Sequence, residues 1–366
     1  MRAALLEGVD DLQIADDVEI DKPHEGEVLV RIQHCGVCHS DLHFVDGSLP
    51  CAYPSILGHE AGGIVESVGA GVLGLAEGDK VILTLRPPCG RCYFCVRGQF
   101  SICSEYGASA VTGALPDGGT RLSHRGRTVS RAGVFLAAFA EQAVVPASGA
   151  VKVPDDTPLD IASVLGCAVQ TGVGAVLNTA KVEAGATVMI VGLGGIGISI
   201  AQGARIAGAS RIIGVDPVAS RRAQSSAFGV TDVIDPNAGD VTSQVMELTG
   251  GIGIDYAFDA VGQSAIVETC IASIRPGGTA VMVGVPRIEQ FVNFHALMFA
   301  MSEKKVTGCF LGSSNPHREF PRLLALWKAD KLDLEGMVTA RRPLAEIADA
   351  FADMKAGSGL RTVLSL

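Results

Sequence analysis

The sequence predicts an α/β protein of two domains, one of which contains a doubly wound parallel sheet. The chain of 366 residues is longer than one ordinary core organises. Residues 186–216 read as an apolar strand, a glycine turn, an amphipathic helix and a second strand. Further apolar runs bring the strand count to six, which completes such a sheet, and they span residues 232–234, 255–259, 279–283 and 305–309.

The glycine turn after the first strand has the spacing G-x-G-x-x-G. Here Gly192 permits the tight turn, Gly194 lets the backbone approach a pyrophosphate, and Gly197 allows close packing of the helix on the strand. Asp216 ends the second strand, where a carboxylate can accept hydrogen bonds from ribose hydroxyls and would repel a 2'-phosphate. The motif therefore predicts a site for NAD rather than NADP. Arg221, five residues after Asp216, is a further candidate ribose contact, and an exposed helical arginine is the alternative interpretation.

The composition describes a folded, acidic protein with 48% hydrophobic residues, 19% charged residues and a formal net charge of -10. This charge, without any run of lysine or arginine, argues against a nucleic-acid partner. The N-terminus carries acids where a signal peptide needs an apolar core, and no segment offers about 18 uninterrupted apolar residues. We expect a cytoplasmic protein in which the ten cysteines serve as metal ligands or buried thiols.

Four closely spaced cysteines form the strongest metal motif of the chain, CGRCYFCVRGQFSIC, with Cys89, Cys92, Cys95 and Cys103. Four thiolates can enclose one tetrahedral ion and leave no open position, so the motif predicts a structural zinc site. An iron-sulfur cluster is the main competing interpretation, and four unrelated core thiols are the other.

A second group of candidate ligands begins with CGVCHSDLH at residues 35–43. Its two cysteines are spaced as in zinc sites and redox pairs alike, and no second C-x-x-C remains to complete a four-thiolate site. One of these cysteines, His59 and Cys167 would supply the three protein ligands of a catalytic zinc with one open position. Spacing alone leaves a metal knuckle, a redox pair and an active site as alternatives.

Together these motifs resemble those of the zinc-dependent alcohol dehydrogenases of the medium-chain dehydrogenase/reductase family. The resemblance covers essentially the whole chain, up to the final GLRTVLSL. It implies a GroES-like catalytic domain at residues 1–168 and 312–366, which holds both zinc ions, and a Rossmann domain at residues 169–311. It also implies NAD-dependent hydride transfer between alcohols and aldehydes or ketones.

The resemblance further implies which residues surround the catalytic zinc. Cys38, His59 and Cys167 would be its ligands, and Glu60 would lie beside the metal. Asp41 would accept a hydrogen bond from His59, which holds the imidazole in orientation and raises its basicity.

Proton transfer and coenzyme binding involve other residues in the same resemblance. Ser40 would contact the bound alcohol and His43 would pass its proton to solvent, whereas a local backbone cap and a surface histidine are the alternative interpretations. Besides the glycine turn and Asp216, the expected coenzyme contacts are His39, Thr171, Gly195, Ile196, Arg221 and Arg361.

Substrate and assembly follow less directly from the sequence. Leu85 matches a position that lines the substrate pocket in relatives, and its apolar side chain favours medium-sized or aromatic alcohols, primary or secondary. Residues 107–145 resemble the long loop of dimeric relatives, which predicts a homodimer.

Four alternative functions compete with this prediction. A thiol-dependent formaldehyde dehydrogenase would carry acidic residues where GSLPC stands at residues 47–51. A nicotinoprotein would never release its coenzyme. Outside the enzymes, a zinc-ribbon nucleic-acid module predicts a basic surface, and a scaffold or binding relative predicts loss of a ligand or of the glycine motif.

Overall fold

The computed structural model describes residues 1–107, 112–131 and 136–366, and its contacts divide the chain into two units. The first unit contains both ends of the chain, and the second is built mainly from the middle. Their ranges are Met1–Ala168, Asn315–Lys328 and Leu334–Leu366 for the first unit, and Val169–Ser314 and Ala329–Asp333 for the second.

Short strands dominate the first unit. They are β1 (Ala3–Gly8), β2 (Asp11–Ala15), β3 (Glu19–Ile20), β4 (Glu27–Gly36), β5 (Ser55–Ile56), β6 (Glu60–Val68), β7 (Lys80–Leu83), β8 (Leu122–His124), β9 (Arg127–Thr128), β10 (Gln142–Pro146), β11 (Ala150–Lys152), β18 (Val338–Pro343) and β19 (Arg361–Ser365). The largest sheet has the order β11-β7-β6-β4-β19-β18, with β10 also paired to β4. Two smaller sheets have the orders β2-β1-β5 and β3-β8-β9.

The helices of the first unit are short, apart from one near the C-terminus. They are α1 (His39–Val45), α2 (Leu159–Ala162), α9 (Pro316–Lys328) and α10 (Ile347–Lys355), while α3 (Ala168–Gly174) begins at the last residue of the unit's first range. Single 3-10 turns cover Cys95–Arg97, Phe100–Ile102, Ala147–Gly149, Ser163–Gly166 and Leu344–Glu346.

Strand β4 lies inside the largest sheet, and its sequence alternates between buried and exposed side chains. Val28, Val30 and Ile32 are buried, whereas Arg31 between them is exposed, as expected for side chains that point to opposite faces of a sheet. The strand pairs with β6 and β10 and, near its end, with β19. It therefore brings the C-terminal strand next to the residues that precede α1.

The second unit contains the predicted doubly wound sheet. Its six strands are β12 (Thr187–Val191), β13 (Arg211–Val215), β14 (Asp232–Ile234), β15 (Ile254–Asp259), β16 (Ile274–Met282) and β17 (Lys305–Gly308). They are all parallel in the order β14-β13-β12-β15-β16-β17. The predicted strand count of six is therefore confirmed.

Helices connect these strands, as parallel pairing requires. They are α4 (Gly195–Ala207), α5 (Ala219–Gln224), α6 (Val241–Leu248), α7 (Ser264–Ser273) and α8 (Ala296–Met301), and a π-helical segment, Ala175–Ala180, precedes β12. Met189, Ile213 and Ala257 from three neighbouring strands belong to one buried core. Strands buried on both faces read as continuous apolar runs, which explains why the sequence revealed them.

One strand differs from its predicted bounds by more than a single residue. The sequence predicted a strand over residues 279–283, whereas β16 already begins at Ile274, which pairs with Ile254. The register shifts before Thr279 pairs with Tyr256. The intervening Pro-Gly-Gly forms an irregularity within the strand, and these turn residues had concealed its start.

No single helix among the described residues is long and apolar enough to cross a membrane. One bent pair, Leu159–Gly166 with Ala168–Ala180, meets that criterion by length and composition only.

Candidate active site and metal centres

Two groups of side chains in the described part of the chain could each hold a metal ion. In both groups the candidate ligand atoms all lie within 4.8 Å of one another. Both groups belong to the first unit. They are Cys89, Cys92, Cys95 and Cys103, and Cys38, His59, Glu60 and Cys167.

The four-cysteine group is a closed site. The Sγ atoms of Cys89 and Cys95 are 4.0 Å apart, and those of Cys92 and Cys103 are 3.9 Å apart. Hydrogen bonds from the backbone N–H groups of Cys95 and Ser104 lower the pKa of the Cys92 thiol to about 5. Such bonds stabilise the thiolate, which is the form that binds metal. The arrangement fits a four-thiolate zinc site without an open position.

The second group is assembled from three separate parts of the chain. Cys38 precedes α1, His59 and Glu60 stand at the start of β6, and Cys167 directly precedes α3. All four are buried. A hydrogen bond from Cys167 is the main reason why the pKa of Cys38 lies well below its ordinary value, while the same bond raises the pKa of Cys167. Metal binding requires both side chains as thiolates, so a bound cation would displace the proton of this hydrogen bond.

Asp41 connects two of these candidate ligands. Its Oδ1 lies 3.0 Å from His59 Nδ1 and accepts a hydrogen bond from Gly58 N at 3.1 Å. Its Oδ2 accepts one from Cys38 N at 3.2 Å. Burial alone would lower the pKa of His59, but Asp41 and Cys38 together raise it. The carboxylate fixes the imidazole so that Nε2 remains for a metal.

Glu60 pairs with an arginine from the C-terminal strand. Arg361 Nη2 lies 3.1 Å from Glu60 Oε1, and Arg361 Nη1 donates to Val37 O at 3.0 Å. Burial raises the pKa of Glu60 to about 7 although Arg361 opposes the shift. Glu60 Oε2 is buried and has no hydrogen-bond partner among the described residues. An unpaired carboxylate oxygen beside two thiols and an imidazole fits a site built for a cation.

Gly36 makes room for this carboxylate, although it is not among the predicted site residues. A Cβ atom at this position would overlap Glu60 Oε2. The glycine between Cys35 and Val37 is the sequence signal that could have indicated the close approach. The pairing of Glu60 with Arg361 was also missed, because the two residues are far apart in the chain and share no local pattern. The sequence had assigned Arg361 to the coenzyme.

Other predicted site residues lie on or near these elements. Ser40 Oγ is 3.8 Å from Cys38 Sγ, and His43 one turn later is half-buried with Nδ1 unpartnered among the described residues. His39, the first residue of α1, is exposed. Leu85, shortly after β7, is buried. Cys35 is buried outside the ligand group.

The predicted coenzyme residues lie in the second unit, apart from His39 and Arg361. Gly192 follows β12 with φ +94° and leads into α4, whose first residues are Gly195 and Ile196. A Cβ atom at Gly197 would overlap the Gly192 carbonyl oxygen, whereas one at Gly194 would meet no atom within 4 Å. The turn therefore leaves open space at Gly194, in front of the N-terminus of α4, where an anion is favoured.

Asp216 and its neighbours occupy the end of β13. The carboxylate accepts hydrogen bonds from Leu193 N and Val218 N, both at 2.8 Å. Arg221 Nη1 is 3.9 Å from Asp216 Oδ2. A carboxylate has about four acceptor positions, so Asp216 can still accept bonds from a sugar. Thr171 on α3 has a buried hydroxyl without a partner among the described residues.

Two protein families match this chain in separate regions. Residues 24–155 match the family described as alcohol dehydrogenase GroES-like domain, and residues 195–329 match the family described as zinc-binding dehydrogenase. An NDMA-dependent alcohol dehydrogenase of Amycolatopsis methanolica is 38% identical over 352 residues, which are 95% of this chain and 94% of the relative. The chain belongs to the zinc-type alcohol dehydrogenases of the medium-chain dehydrogenase/reductase family.

Solved structures agree with this assignment. A benzyl alcohol dehydrogenase of Acinetobacter calcoaceticus superposes on this alcohol dehydrogenase with a TM-score of 0.93 at 30% identity, over 100% of this chain and 99% of the other. A zinc-binding-domain alcohol dehydrogenase of Burkholderia ambifaria also gives 0.93, at 34% identity over 100% and 98%. The predicted fold class is confirmed, a GroES-like domain with a Rossmann-type coenzyme domain.

Family membership also settles the general activity. This alcohol dehydrogenase is a zinc-binding oxidoreductase that acts on small alcohols or aldehydes. The scaffold alternative required the loss of a ligand or of the glycine motif, and all of those residues are present.

Proposed function

We propose that this alcohol dehydrogenase uses NAD and binds two zinc ions per chain, one structural at Cys89, Cys92, Cys95 and Cys103, and one catalytic at Cys38, His59 and Cys167. The observation that carries the proposal is the second, buried ligand group, whose atoms lie within 4.8 Å of one another. Two thiolates and one imidazole leave a fourth position open for substrate. When bound, zinc supplies a Lewis acid and NAD accepts the hydride.

The residues on α1 would handle the proton of the alcohol. Ser40 Oγ lies 3.8 Å from Cys38 Sγ, close enough to contact a substrate oxygen at the ligand group. His43 follows three residues later, so both side chains project from the same face of the helix. His43 Nδ1 is buried and lacks a partner among the described residues, so it is available to accept that proton. The side chain as a whole is only half-buried, which gives the proton a route to solvent.

The preference for NAD rests on Asp216. Its carboxylate is 2% exposed and is held by two backbone N–H groups. A 2'-phosphate placed beside it would meet a fixed negative charge, whereas ribose hydroxyls can donate to it. His39, Thr171, Arg221 and Arg361 remain proposed contacts of the same coenzyme.

Medium-sized or aromatic alcohols are the proposed substrates. Leu85 would contribute an apolar wall, and a structural neighbour is named for benzyl alcohol. We expect the zinc-loaded protein to reduce NAD with benzyl alcohol and medium-chain primary alcohols, and to do so poorly with NADP. Equal rates with both coenzymes, or turnover that survives removal of all zinc, would contradict the proposal.

A second candidate follows from the relative that is named NDMA-dependent. In this candidate function, the chain is a nicotinoprotein alcohol dehydrogenase, which retains its coenzyme and passes the electrons to an added acceptor. Two measurements distinguish the candidates, namely the NAD released when the purified protein is denatured and alcohol oxidation with NDMA in the absence of added NAD. Stoichiometric NAD together with NDMA-dependent turnover would favour this candidate over the freely exchanging enzyme.

We also propose a homodimer, on a different observation from the loop that first suggested it. That loop includes residues 108–111 and 132–135, which lie outside the described residues. In the second unit, helix α8 has no buried residue, and the helix and the segment before it carry an exposed apolar surface. This apolar surface consists of side chains that are more than half exposed: Ile288, Phe291, Phe294, Leu297, Met298 and Met301.

The occupant that fits the apolar surface is a second copy of the chain. Six such side chains offer on the order of 600 Å² if each contributes about 100 Å². That equals the largest patches of monomers and approaches the roughly 800 Å² per partner of a stable interface. Strand β17 next to it is an edge strand, which can pair antiparallel with its own copy across a twofold axis.

Light scattering after gel filtration tests the dimer. Met298→Asp should yield monomers, because it would place a charge in the centre of the contact. Leu73→Asp is the matched control, since Leu73 is 91% exposed but isolated in the first unit. A monomeric native protein, or a dimer that tolerates Met298→Asp, would contradict the proposal.

A cytoplasmic location completes the proposal. All ten cysteines are free, and both ligand groups require reduced thiols. Fractionation should recover the activity with cytoplasmic proteins, and activity found with exported proteins would be evidence against this location.

A further inference from the structure

Asp259 occupies the point where the sheet of the second unit reverses its direction of winding. It is the last residue of β15, which lies beside β12, while the chain continues from β12 to β13 on the other side. In doubly wound sheets ligands bind at the carboxyl ends of the strands at this reversal. Asp216 marks one side of the crevice, at the end of β13, and Asp259 marks the opposite side.

Asp259 binds two loops at once. Its carboxylate accepts hydrogen bonds from Val261 N and Gly262 N, both at 2.9 Å. Its main-chain oxygen accepts bonds from Val283 N at 3.0 Å and Gly284 N at 2.9 Å. One residue therefore gathers four N–H groups from the loops that follow β15 and β16.

These two loops touch through their backbones. Gly262 has φ +88°, and a Cβ atom there would lie 2.5 Å from the carbonyl carbon of Val285. A Cβ atom at Gly284 would overlap Gly262 N. The two backbones meet at the residues whose N–H groups donate to Asp259, so these bonds hold the contact in place.

The loops present apolar side chains beside the glycine turn. Val261 and Val285 are each 40% exposed, which is unusual next to a buried core. Val261 Cγ2 would lie 2.5 Å from a Cβ atom at Gly192, so it covers the first glycine of the turn. The pyrophosphate belongs at that turn, and the adenosine ribose belongs at Asp216. The half of the coenzyme beyond the pyrophosphate therefore runs toward these valines.

The charge of Asp259 is the unusual feature. The carboxylate is 1% exposed, and no ion pair joins it to a cation among the described residues. Burial raises its pKa, and the N–H groups of Gly262 and Val261 oppose that shift. A neutral residue could cap a turn without the cost of burying a charge, so a carboxylate here requires a further reason.

We propose that Asp259 is a positioning residue for the nicotinamide half of the coenzyme. By binding Val261 and Gly262 through its carboxylate, it holds the wall formed by Val261 and Val285 at the correct distance from the glycine turn. The adenosine half, on the side of Asp216, does not depend on it. This inference rests on the proposed use of NAD.

The substitution Asp259→Asn tests the inference with two ligands. Both N–H groups donate to Oδ1, and Gly262 N also contacts Oδ2 at 3.2 Å. An amide has the same shape, but its single oxygen is an uncharged acceptor at the shared position, and its NH₂ group then faces the N–H of Gly262. Because the amide is a weaker acceptor than the carboxylate, the loop after β15 should be held less firmly, and NADH should bind roughly tenfold more weakly. The affinity for 5'-AMP, which lacks the nicotinamide half, should stay within about twofold of the native value.

Asp255→Asn is the matched control. Asp255 lies on the same strand, near its opposite end, where it accepts hydrogen bonds from Thr187 N at 2.7 Å and Arg275 Nε at 2.6 Å. Loss of the Asp255 carboxylate should lower the melting temperature without changing the affinity for NADH or for 5'-AMP. A general loss of stability would therefore be distinguished from a loss of positioning.

Gly284→Ala provides a second route if Asp259→Asn does not fold. It leaves Asp259 in place but forces the two loops apart, so NADH should again bind more weakly while 5'-AMP does not. Equal NADH affinity in native and Asp259→Asn proteins, or a parallel loss of both ligands, would overturn the inference alone. Native protein that binds neither ligand would overturn the use of NAD, and this inference with it.

Discussion

The substitution Asp41→Asn should loosen the catalytic zinc while leaving the structural zinc in place. The Asp41 carboxylate receives three donors, His59 Nδ1 at 3.0 Å, Gly58 N at 3.1 Å and Cys38 N at 3.2 Å. Two of them belong to proposed ligands. Asparagine can keep the first two through its single oxygen, but its NH₂ group then faces the Cys38 N–H and repels it.

The size of the effect follows from those contacts. The imidazole loses its charged partner and the backbone of Cys38 loses its acceptor, and bonds to charged groups are worth about 1.5–3 kcal/mol each. Part of this lost free energy lowers the stability of the fold rather than the affinity for zinc. For residues that orient a metal ligand, the loss of metal affinity is typically about 10–100-fold, or roughly 1.4–2.8 kcal/mol.

Zinc retention under a competing chelator measures this prediction. Native protein should keep about two ions per chain, whereas Asp41→Asn should fall to about one at a chelator concentration that spares the native enzyme. Asp46→Asn is the control, because Asp46 Oδ1 also accepts a backbone N–H, from Ser48 at 2.8 Å, but lies at the opposite end of α1 from Cys38. Equal retention in native and Asp41→Asn proteins would refute the role assigned to Asp41.

Three further substitutions test the other parts of the site. Cys167→Ser should remove one of two zinc ions and abolish turnover, and a native content of one zinc would contradict the two-site scheme. Asp216→Gly should narrow the preference for NAD over NADP. It should also destabilise the protein by about 1–3 kcal/mol, because Leu193 N and Val218 N lose their acceptor. An unchanged ratio of the rates with the two coenzymes would exclude the ribose contact. His43→Gln should slow alcohol oxidation near neutral pH by up to about 10²-fold. This difference in rate should shrink as the pH rises, because hydroxide then takes the proton. An unchanged pH profile would show that His43 does not carry the proton of the alcohol.

Features encoded within a short stretch of chain could be predicted from the sequence. The turn at Gly192 and Gly197 lies between an apolar strand and a helix, and its steric requirements act within a few residues. The four cysteines from Cys89 to Cys103 are close enough in sequence to enclose one ion. The strands of the parallel sheet are buried on both faces, so they appear as continuous apolar runs, and only the start of β16 at Ile274 was missed.

The sequence by itself determined that this protein has a glycine turn between a strand and a helix, a group of four closely spaced cysteines and a doubly wound sheet. Only the tertiary structure decided which side chains meet around Cys38. Arg361 and Val37 are 324 positions apart, yet they are bonded, because β19 pairs with the end of β4 and brings Arg361 to Glu60. Sheet pairing between distant strands leaves no periodicity in the sequence, and the space that Gly36 leaves for a carboxylate exists only after folding.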